Sequence, residues 1–271
     1  MATLETTPVP TAPARRPFSR RWSWGLLANL VARNLRVKYQ RSALGFVWTL
    51  LNPLLTVAVL TAVFRFVVKI QVPHYWAFLI SGYFVWSFTL QALTAATSVL
   101  PEHSHLARSL PLPSETLITA TVLSRLVEFL AELVLVLILL AVFHHHGVPA
   151  GYLWLPVLIP LQLALVLGLT LPIATLSAFF HDVQHALPIA LMVLFYVSPV
   201  FYPASLVPEA ARAWYQLNPF AGLLTAYQTA LYQGHSPAPG LLALTAAQAL
   251  VIAGAGYAIF RRYRGLLPEI V

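Results

Sequence analysis

Long runs without Asp, Glu, Lys or Arg dominate this chain of 271 residues. The longest extends from Leu133 to His181, and shorter ones cover Ser42 to Phe64 and Ile70 to Pro101. A hydrocarbon layer of about 30 Å is crossed by roughly 20 apolar residues in an α-helix. Gly147 and Pro149 divide the longest run into two crossings. We predict an all-α membrane protein with six transmembrane helices, near residues 46–68, 75–98, 117–143, 153–179, 185–202 and 240–260.

The composition excludes an ordinary water-soluble protein. Hydrophobic residues make up 59% of the chain and charged residues 9%, against about 25% charged residues in a typical soluble domain. The net charge of +8 does not indicate nucleic-acid binding, because a basic patch needs a water-facing surface. With no cysteine, disulfides and thiolate metal sites are excluded. Residues 1–22 are rich in Pro, Thr and Ala and are predicted to form a disordered cytoplasmic tail.

The basic residues predict the orientation, because Lys and Arg stay preferentially on the cytoplasmic side of a membrane. With both termini in the cytoplasm and the chain in the cell (inner) membrane, Arg65, Lys69 and Arg212 lie outside and Arg125 lies within a span. The bases then on the cytoplasmic side are Arg15, Arg16, Arg20, Arg21, Arg33, Arg36, Lys38, Arg41, Arg108, Arg261, Arg262 and Arg264. There they also meet anionic lipid headgroups.

Residues 23–41 have the pattern of a helix that lies in the membrane interface. Apolar side chains recur at three- and four-residue steps, and polar ones fall on the opposite side. The apolar positions are Trp24, Leu27, Val31 and Leu35, and the polar positions are Asn29, Arg33, Arg36 and Gln40. Two interpretations stay open: a simple membrane anchor, or a helix that gates lateral access for a lipid-bearing substrate.

Residues 204–234 are too interrupted by proline to span a membrane and too apolar for a solvated loop. Pro208 and Pro219 interrupt a stretch that also contains Trp214, Tyr227 and Tyr232. Irregular backbone at membrane depth is tolerated only beside protein or a water-filled path. We therefore expect short re-entrant helices that border the external exit.

The ionisable residues within the spans favour transport over catalysis. Arg125, Glu128 and Glu132 share one face of the third span, where a lone charge costs roughly 2.5 to 3.5 kcal/mol. An intrahelical ion pair is the first interpretation and a proton relay the second. Asp182 is the only aspartate, so paired-aspartate chemistry is excluded. We predict no catalytic residue in this chain.

Neither a phosphate loop nor a metal site is expected. A Walker motif needs Gly-x-x-x-x-Gly-Lys-Ser/Thr, yet the lysines, Lys38 and Lys69, both follow valine. The energy must come from a partner or from an ion gradient. Three consecutive histidines, His144 to His146, cannot all face one ion from a helix. We expect them in a wet external loop.

Several short motifs resemble one family across nearly the whole chain beyond the tail. The run from Arg33 to Trp48, followed by Leu51 to Leu54, is similar to the opening of ABC-type polysaccharide export permeases, which move O-antigen and teichoic acid chains. Further similar segments, in the family's order, are 180–183, 198–203 with 207–208, and 217–219. The resemblance identifies the chain as the transmembrane subunit of such an exporter.

The resemblance also implies the partners. It predicts a homodimer in which each subunit docks on an ABC ATPase (nucleotide-binding) subunit, and ATP and magnesium are bound by that partner. This chain would need no cofactor of its own. The cargo implied is a lipid-linked glycan of the O-antigen, capsule or teichoic acid type, driven outward by ATP hydrolysis. Membrane lipids are the other expected contact, and nucleic acid is not expected.

The same resemblance predicts that the cytoplasmic segment 101–115 couples ATP hydrolysis to channel opening. Glu102, Arg108 and Pro113 fall in this segment, and Asp182 in the next cytoplasmic connection is assigned to the same role. One departure is His181, where the family has a basic residue before the Asp-Val pair. Since histidine is mostly uncharged at neutral pH, an ion pair at that position is weakened.

Two sets of residues are predicted to meet the substrate. Tyr39, Arg41 and Ser42 stand where the interfacial helix turns into the first span, and arginine binds phosphate bidentately. They are the candidates for the headgroup, although Arg41 also fits a plain topology role. Aromatic rings can let a glycan slide, or can form an ordinary interfacial belt. The candidates for the path are Tyr75, Trp86, Phe195, Tyr196, Phe201 and Tyr202.

Other functions remain open from the sequence. Small-molecule or lipid efflux by an ABC-type permease fits the same fold. An ion-coupled secondary transporter would use Arg125, Glu128 and Glu132, but no convincing internal repeat is present. A membrane enzyme acting on lipid-linked sugars lacks a clustered acid-base or metal constellation.

Overall fold

A computed structural model describes residues 24–40, 45–102 and 113–267, apart from the side chains of residues 212–214. These described residues form α-helices and no strand. The helices are α1 (Trp24–Tyr39), α2 (Val47–Ala62), α3 (Tyr75–Glu102), α4 (Ser114–Phe143), α5 (Leu155–Phe179), α6 (Val183–Val197), α7 (Glu209–Leu217), α8 (Pro219–Leu231) and α9 (Pro239–Tyr263). A π-helical turn, Val63–Val67, extends α2, and short 3₁₀ turns occupy Ala150–Trp154 and Ala204–Leu206.

Five of these helical segments are long and apolar enough to cross a membrane. They are Val47–Val67, Tyr75–Glu102, Ser114–Phe143, Ala150–Phe179 and Pro239–Tyr263. The remaining predicted span, 185–202, corresponds to α6, which has only 15 residues. Its helix ends at Val197 because Ser198 precedes Pro199 and is extended. The all-helical prediction is confirmed, whereas the structure provides five full-length spans rather than six.

Helix α3 is the buried centre of the bundle and packs against α2, α4, α5, α6 and α8. The most extensive helix pair is α5 with α9. Glycines explain how close this pair comes: a Cβ on Gly168 would collide with the backbone of Ala253, and one on Gly256 with the carbonyl of Gly168. Small residues that let two backbones approach are typical of helix pairs in membranes.

Helix α6 runs antiparallel to α3 along most of its length. The Gln184 side chain donates to the Thr97 carbonyl (3.2 Å) near one end of α3. The ring of Phe195 lies 5.7 Å from that of Trp86, farther along α3. Beyond α6, the Phe201 carbonyl accepts from the Tyr75 hydroxyl (2.7 Å) at the other end of α3.

Helix α8 is buried in the bundle, and a series of hydrogen bonds connects it to its neighbours. Asn218 caps its first turn and also donates to the Ser198 hydroxyl (2.9 Å). The Tyr227 hydroxyl donates to the Gln162 amide oxygen (2.9 Å), and the Gln162 amide donates to the Val85 carbonyl (2.9 Å). Buried polar groups without partners are costly, so these bonds fix α8 in one position against α3 and α5.

Helix α1 occupies most of the predicted segment 23–41 and packs on α4. Its buried side chains, Leu27 and Leu30, belong to one apolar cluster with Val99 and Leu117. Trp24, predicted to lie on the apolar face, is exposed in this chain. The location of α1 in the membrane interface stays a prediction.

Candidate functional site

Two cations share one carboxylate where α1 meets α4. The Lys38 amine lies 2.8 Å from both carboxylate oxygens of Glu128. The Arg125 guanidinium contacts the same carboxylate at 3.0 Å, one helical turn away. Glu128 is only 2% exposed, and charge-assisted hydrogen bonds of this kind are the strong ones. The predicted intrahelical Arg125–Glu128 pair is confirmed, and it is part of a larger arrangement.

Tyr39 extends this arrangement to α2. Its hydroxyl donates to Glu128 at 2.5 Å and also contacts the Thr49 hydroxyl at 2.5 Å. A phenol has one hydrogen and a carboxylate only accepts, so Thr49 is the donor to Tyr39. We call Lys38, Tyr39, Thr49, Arg125 and Glu128 the ion cluster. It ties α1 to both α2 and α4.

The surroundings shift the acidities of the two α1 side chains. Burial lowers the pKa of the Lys38 amine, and the hydrogen bond to Glu128 opposes that shift without cancelling it. Burial also raises the pKa of the Tyr39 phenol, and the hydrogen bond to Glu128 raises it further. Tyr39 therefore stays a neutral donor at physiological pH.

Glu132 shares the face of α4 but stands outside the ion cluster. It is 1% exposed, and neither carboxyl oxygen has a hydrogen-bond partner. An unpartnered buried polar group is unusual in a folded protein. One helical turn thus separates a fully bonded carboxylate from an unbonded one.

A cavity of about 910 Å³ opens beside the ion cluster, between α1, α3, α4 and α6. This volume is within the range of small-molecule sites. Its charged lining residues are Arg33, Lys38, Glu102, Arg125 and Glu128. Hydroxyl and amide side chains form much of the remaining wall, namely Asn34, Gln91, Thr94, Ser98, Thr121 and Ser124.

The six aromatic residues predicted to line the path come together in one network of ring contacts. Phe64 joins them, since its ring lies 5.9 Å from that of Tyr75 and 5.2 Å from that of Phe201. We call this the aromatic cluster: Phe64, Tyr75, Trp86, Phe195, Tyr196, Phe201 and Tyr202. Tyr75 and Trp86 are buried in the chain's own core, whereas Tyr196 is 59% exposed.

The histidines after α4 are held by backbone carbonyls. Nε2 of His144 lies 2.9 Å from the Tyr232 carbonyl, and Nε2 of His145 lies 2.7 Å from that of Leu231. A carbonyl only accepts, so both Nε2 atoms carry the proton. Burial lowers the pKa of His144, despite the opposing effect of the Tyr232 carbonyl. Within the described residues, no three His, Asp or Glu side chains are placed to hold a metal ion.

Comparison with known proteins decides the family. Residues 26–232 match the profile of the ABC-2 type transporter family. The chain belongs to that family. Its multiple apolar helices and its relatives make it a multi-pass membrane protein of ABC-2 type, and the family implies an ABC ATPase as partner.

Three relatives of this ABC-2 chain are named for polysaccharide transport. The O-antigen export system permease protein RfbA of Myxococcus xanthus is 32% identical over 250 residues, which cover 91% of this chain and 95% of that protein. RfbA of Klebsiella pneumoniae is 24% identical, with 77% and 81% covered. The polysialic acid transport protein KpsM of Escherichia coli is 22% identical, with 86% and 91% covered. These matches confirm the resemblance to polysaccharide export permeases.

The residues predicted to couple this ABC-2 subunit to its ATPase lie near the ends of three helices. Glu102 ends α3 and lines the cavity, Pro113 directly precedes α4, and Asp182 directly precedes α6. Within the described residues, Asp182 is in neither ion pair. Arg108, together with Arg41 and Ser42 of the predicted headgroup site, lies outside the described residues.

Sequence reasoning missed the partners of Glu128 on the other helices. Lys38 was assigned only a topological role, and Thr49 none. One signal was available, because Lys38 is one of only two lysines in the chain and adjoins Tyr39. Spacing along the sequence finds partners within one helix, whereas a contact across 90 residues depends on how helices pack.

Proposed function

We propose that this chain is the channel-forming transmembrane subunit of an ABC transporter that exports a lipid-linked polysaccharide from the cytoplasmic side of the cell membrane. ATP hydrolysis in a separate subunit, which binds ATP and magnesium, drives the export. The observation that carries this proposal is the similarity to the Myxococcus xanthus O-antigen export permease over nearly the full length of both chains. The glycan is of the O-antigen or capsule class, and a teichoic acid type belongs to the same cargo chemistry.

Six crossings fit the charges better than five. With α1 in the cytoplasm, five crossings would place Arg261, Arg262 and Arg264 outside, against the preference of basic residues for the cytoplasmic side. A crossing by α6 and the residues after it restores both termini to the cytoplasm. Gln184 lies beside Thr97 and Phe201 beside Tyr75. Thr97 and Tyr75 are 22 residues apart on α3, which corresponds to about 33 Å. This distance is enough to cross the hydrocarbon layer.

The stretch 204–234 is proposed to enter the membrane from outside and return. Tyr202 follows Phe201, which contacts the first residue of α3. Phe220, at the start of α8, contacts Trp86, 11 residues or about 16 Å deeper along α3. At the end of α8, the Tyr232 hydroxyl donates to the Pro73 carbonyl (2.8 Å), back beyond the start of α3. These contacts support a re-entrant element at the external exit.

The assembly proposed is a homodimer with one ATPase docked on each subunit. Segment 101–115, with Glu102, Arg108 and Pro113, is proposed to contact the ATPase together with Asp182. Apolar side chains exposed along α2 and α6, such as Val59, Phe66 and Ile189, are available to a second copy or to lipid. The aromatic cluster then borders the path, and Tyr196 is its best candidate for touching a glycan since its ring is exposed.

A deletion of this gene in its host tests the function. We expect the surface glycan to disappear and lipid-linked glycan to accumulate in the cytoplasm, and the intact gene to restore export. A second strain carries an ATPase subunit whose Walker lysine is replaced, and it should show the same defect. Continued glycan export in the deletion strain would overturn the assignment of this glycan as the cargo. Export that survives ATPase inactivation would indicate an ion-coupled transporter.

A further inference from the structure

The cavity beside the ion cluster carries an excess of positive charge. Three of its lining side chains are cationic, Arg33, Lys38 and Arg125, and two are acidic, Glu102 and Glu128. Lys38 and Arg125 both depend on Glu128 for their charge partner. Glu132 is near in sequence but does not line the cavity. Because electrostatic attraction strengthens away from bulk water, this wall favours an anion.

The opposite walls offer hydrogen bonds of the kind that a sugar takes. Gln91, Thr94 and Ser98 follow one another along the cavity face of α3. On α4, the Thr121 and Ser124 hydroxyls donate within their own helix, to the carbonyls of Leu117 (3.0 Å) and Ala120 (2.7 Å). Their oxygen lone pairs are therefore left to accept from hydroxyl groups in the cavity.

Apolar side chains contribute to the exposed edge of the cavity, together with the charged ones. Val37 of α1 and Leu90 of α3 are 57% and 37% exposed, and Pro188 of α6 is exposed beside them. The lining reaches from Glu102 to Gln91, about 16 Å along α3. A soluble anion would gain nothing from these exposed apolar side chains. An amphiphile would bury its lipid tail against them.

We propose that this cavity binds the phosphate and first sugar of a lipid-linked substrate, and that the phosphate competes with Glu128 for Lys38 and Arg125. This inference rests on the proposed export function and assigns the binding site within it. Arginine binds phosphate bidentately and lysine binds it as a point charge. Arg33 is the third cation, and the hydroxyl and amide walls hold the sugar.

Competition at Glu128 changes which group links α1 to α4. Lys38 and Tyr39 attach α1 to α4 through that single carboxylate. A phosphate that takes Lys38 and Arg125 removes most of what holds Glu128. Because Lys38 lies on α1 and Arg125 on α4, the bound phosphate bridges the two helices in place of Glu128.

The test measures binding of radiolabelled polyprenyl phosphate to the full-length chain with its ATPase, in nanodiscs of zwitterionic lipid. Arg33→Gln and Arg125→Gln should each weaken binding about tenfold. Glu128→Gln should tighten it, because the competing charge is removed. The matched control is Arg36→Gln, a base on the same helix that does not line the cavity. It should leave binding unchanged within about twofold.

Two ligand arms separate the sources of phosphate. Polyprenol, which lacks the phosphate, and inorganic phosphate, which lacks the lipid, should both bind far more weakly. Equal binding of polyprenol would overturn the anion site, and equal binding of inorganic phosphate would overturn the lipid assignment. If Arg125→Gln fails to assemble, Lys38→Gln takes its place.

The remaining outcomes are equally decisive. An Arg36→Gln effect as large as that of Arg33→Gln would show diffuse attraction and overturn the cavity site. A Glu128→Gln variant that binds no tighter would overturn the competition. Surface glycan is measured in the same host. If the Arg33→Gln and Arg125→Gln variants bind the lipid and export glycan normally, this inference alone is overturned. If the wild-type complex exports no glycan, the proposed function is overturned.

Discussion

The ion cluster and the aromatic cluster hold the helices together by different means. The ion cluster joins α1, α2 and α4 through one carboxylate with three partners, and Thr49 of α2 bonds to one of these, Tyr39. The aromatic cluster joins α2, α3 and α6 through many ring contacts of 5 to 6 Å, none of which is dominant. A single substitution should therefore disrupt the ion cluster and be tolerated in the aromatic cluster, since packing spreads its energy over many atoms.

The largest expected effect concerns the side of the membrane on which each region lies. The chain has no cysteine, and a Cβ at Gly147, Gly240 or Gly265 meets no atom within 4 Å. Single cysteines at Gly147 and Gly240 should react with an impermeant maleimide added outside. A cysteine at Gly265 should react only after permeabilisation. Labelling at Gly265 but not at Gly240 in intact cells would indicate five crossings.

Removing the centre of the ion cluster should cause the next largest effect. Glu128→Ala leaves Lys38 and Arg125 without their charge partner and Tyr39 without its acceptor, at a cost of about 3 kcal/mol in folding free energy. The control is Glu132→Gln, one turn away and equally buried but without hydrogen bonds. It should retain wild-type stability. Heating followed by size-exclusion chromatography measures both, and equal losses would mean that burial, not bonding, sets the cost.

A pair of hydroxyl deletions compares the two clusters directly. Tyr39→Phe removes a hydrogen bond to a carboxylate, worth about 2 kcal/mol. Tyr75→Phe removes one to the neutral Phe201 carbonyl, worth about 1 kcal/mol. Both variants keep the ring, so the difference in melting temperature reports the hydroxyl's hydrogen bonds, which for Tyr39 also include the one from Thr49. A larger loss for Tyr75→Phe would reverse the ranking of the two regions.

The smallest expected effect is a pH dependence at the turn that follows α4, where His144 contacts the Tyr232 carbonyl. Burial lowers the pKa of His144 below its ordinary value near 6.5. When the turn opens and His144 leaves Tyr232 for water, its imidazole therefore binds a proton more readily than in the closed turn. The contact is therefore fully stable above that ordinary value and weakens as the pH falls below it, by less than tenfold per unit.

Hydrogen exchange at the amides of Gln233 and Gly234 measures this opening at pH 7.5 and 5.5. His74, His145, His146 and Tyr232 are the titratable groups near His144. His144→Gln keeps a donor for the Tyr232 carbonyl but cannot titrate, and it should remove most of the pH dependence. Unchanged dependence in that variant would assign the effect to the neighbouring histidines.

Most of the fold is predictable from the sequence, because charge-free runs and breaking residues reflect the solvent directly. The five long spans follow from that rule. The proposed sixth is less visible, because α6 has only 15 residues and ends just before Pro199. Periodicity also predicted the N-terminal helix, but not that Leu30 is buried while Trp24 is exposed.

The candidate site was predictable only in part. The Arg125–Glu128 pair follows from helical spacing, as does the shared face with Glu132. The cavity and the contact with Lys38 depend on how α1 crosses α4, which no local pattern encodes. The aromatic residues were grouped by composition and motif, but their separation into buried Tyr75 and Trp86 and exposed Tyr196 is a property of packing.

The most direct test of the central claim is ATP-driven movement of a lipid-linked glycan in proteoliposomes that contain this chain and its ATPase. The glycan starts on the ATPase side, and a lectin enclosed in the opposite compartment reports its arrival. Arrival should require ATP, magnesium and an intact Walker lysine in the partner, and it should fail without this chain. Arrival at the same rate without ATP, or with the hydrolysis-deficient partner, would contradict the central claim.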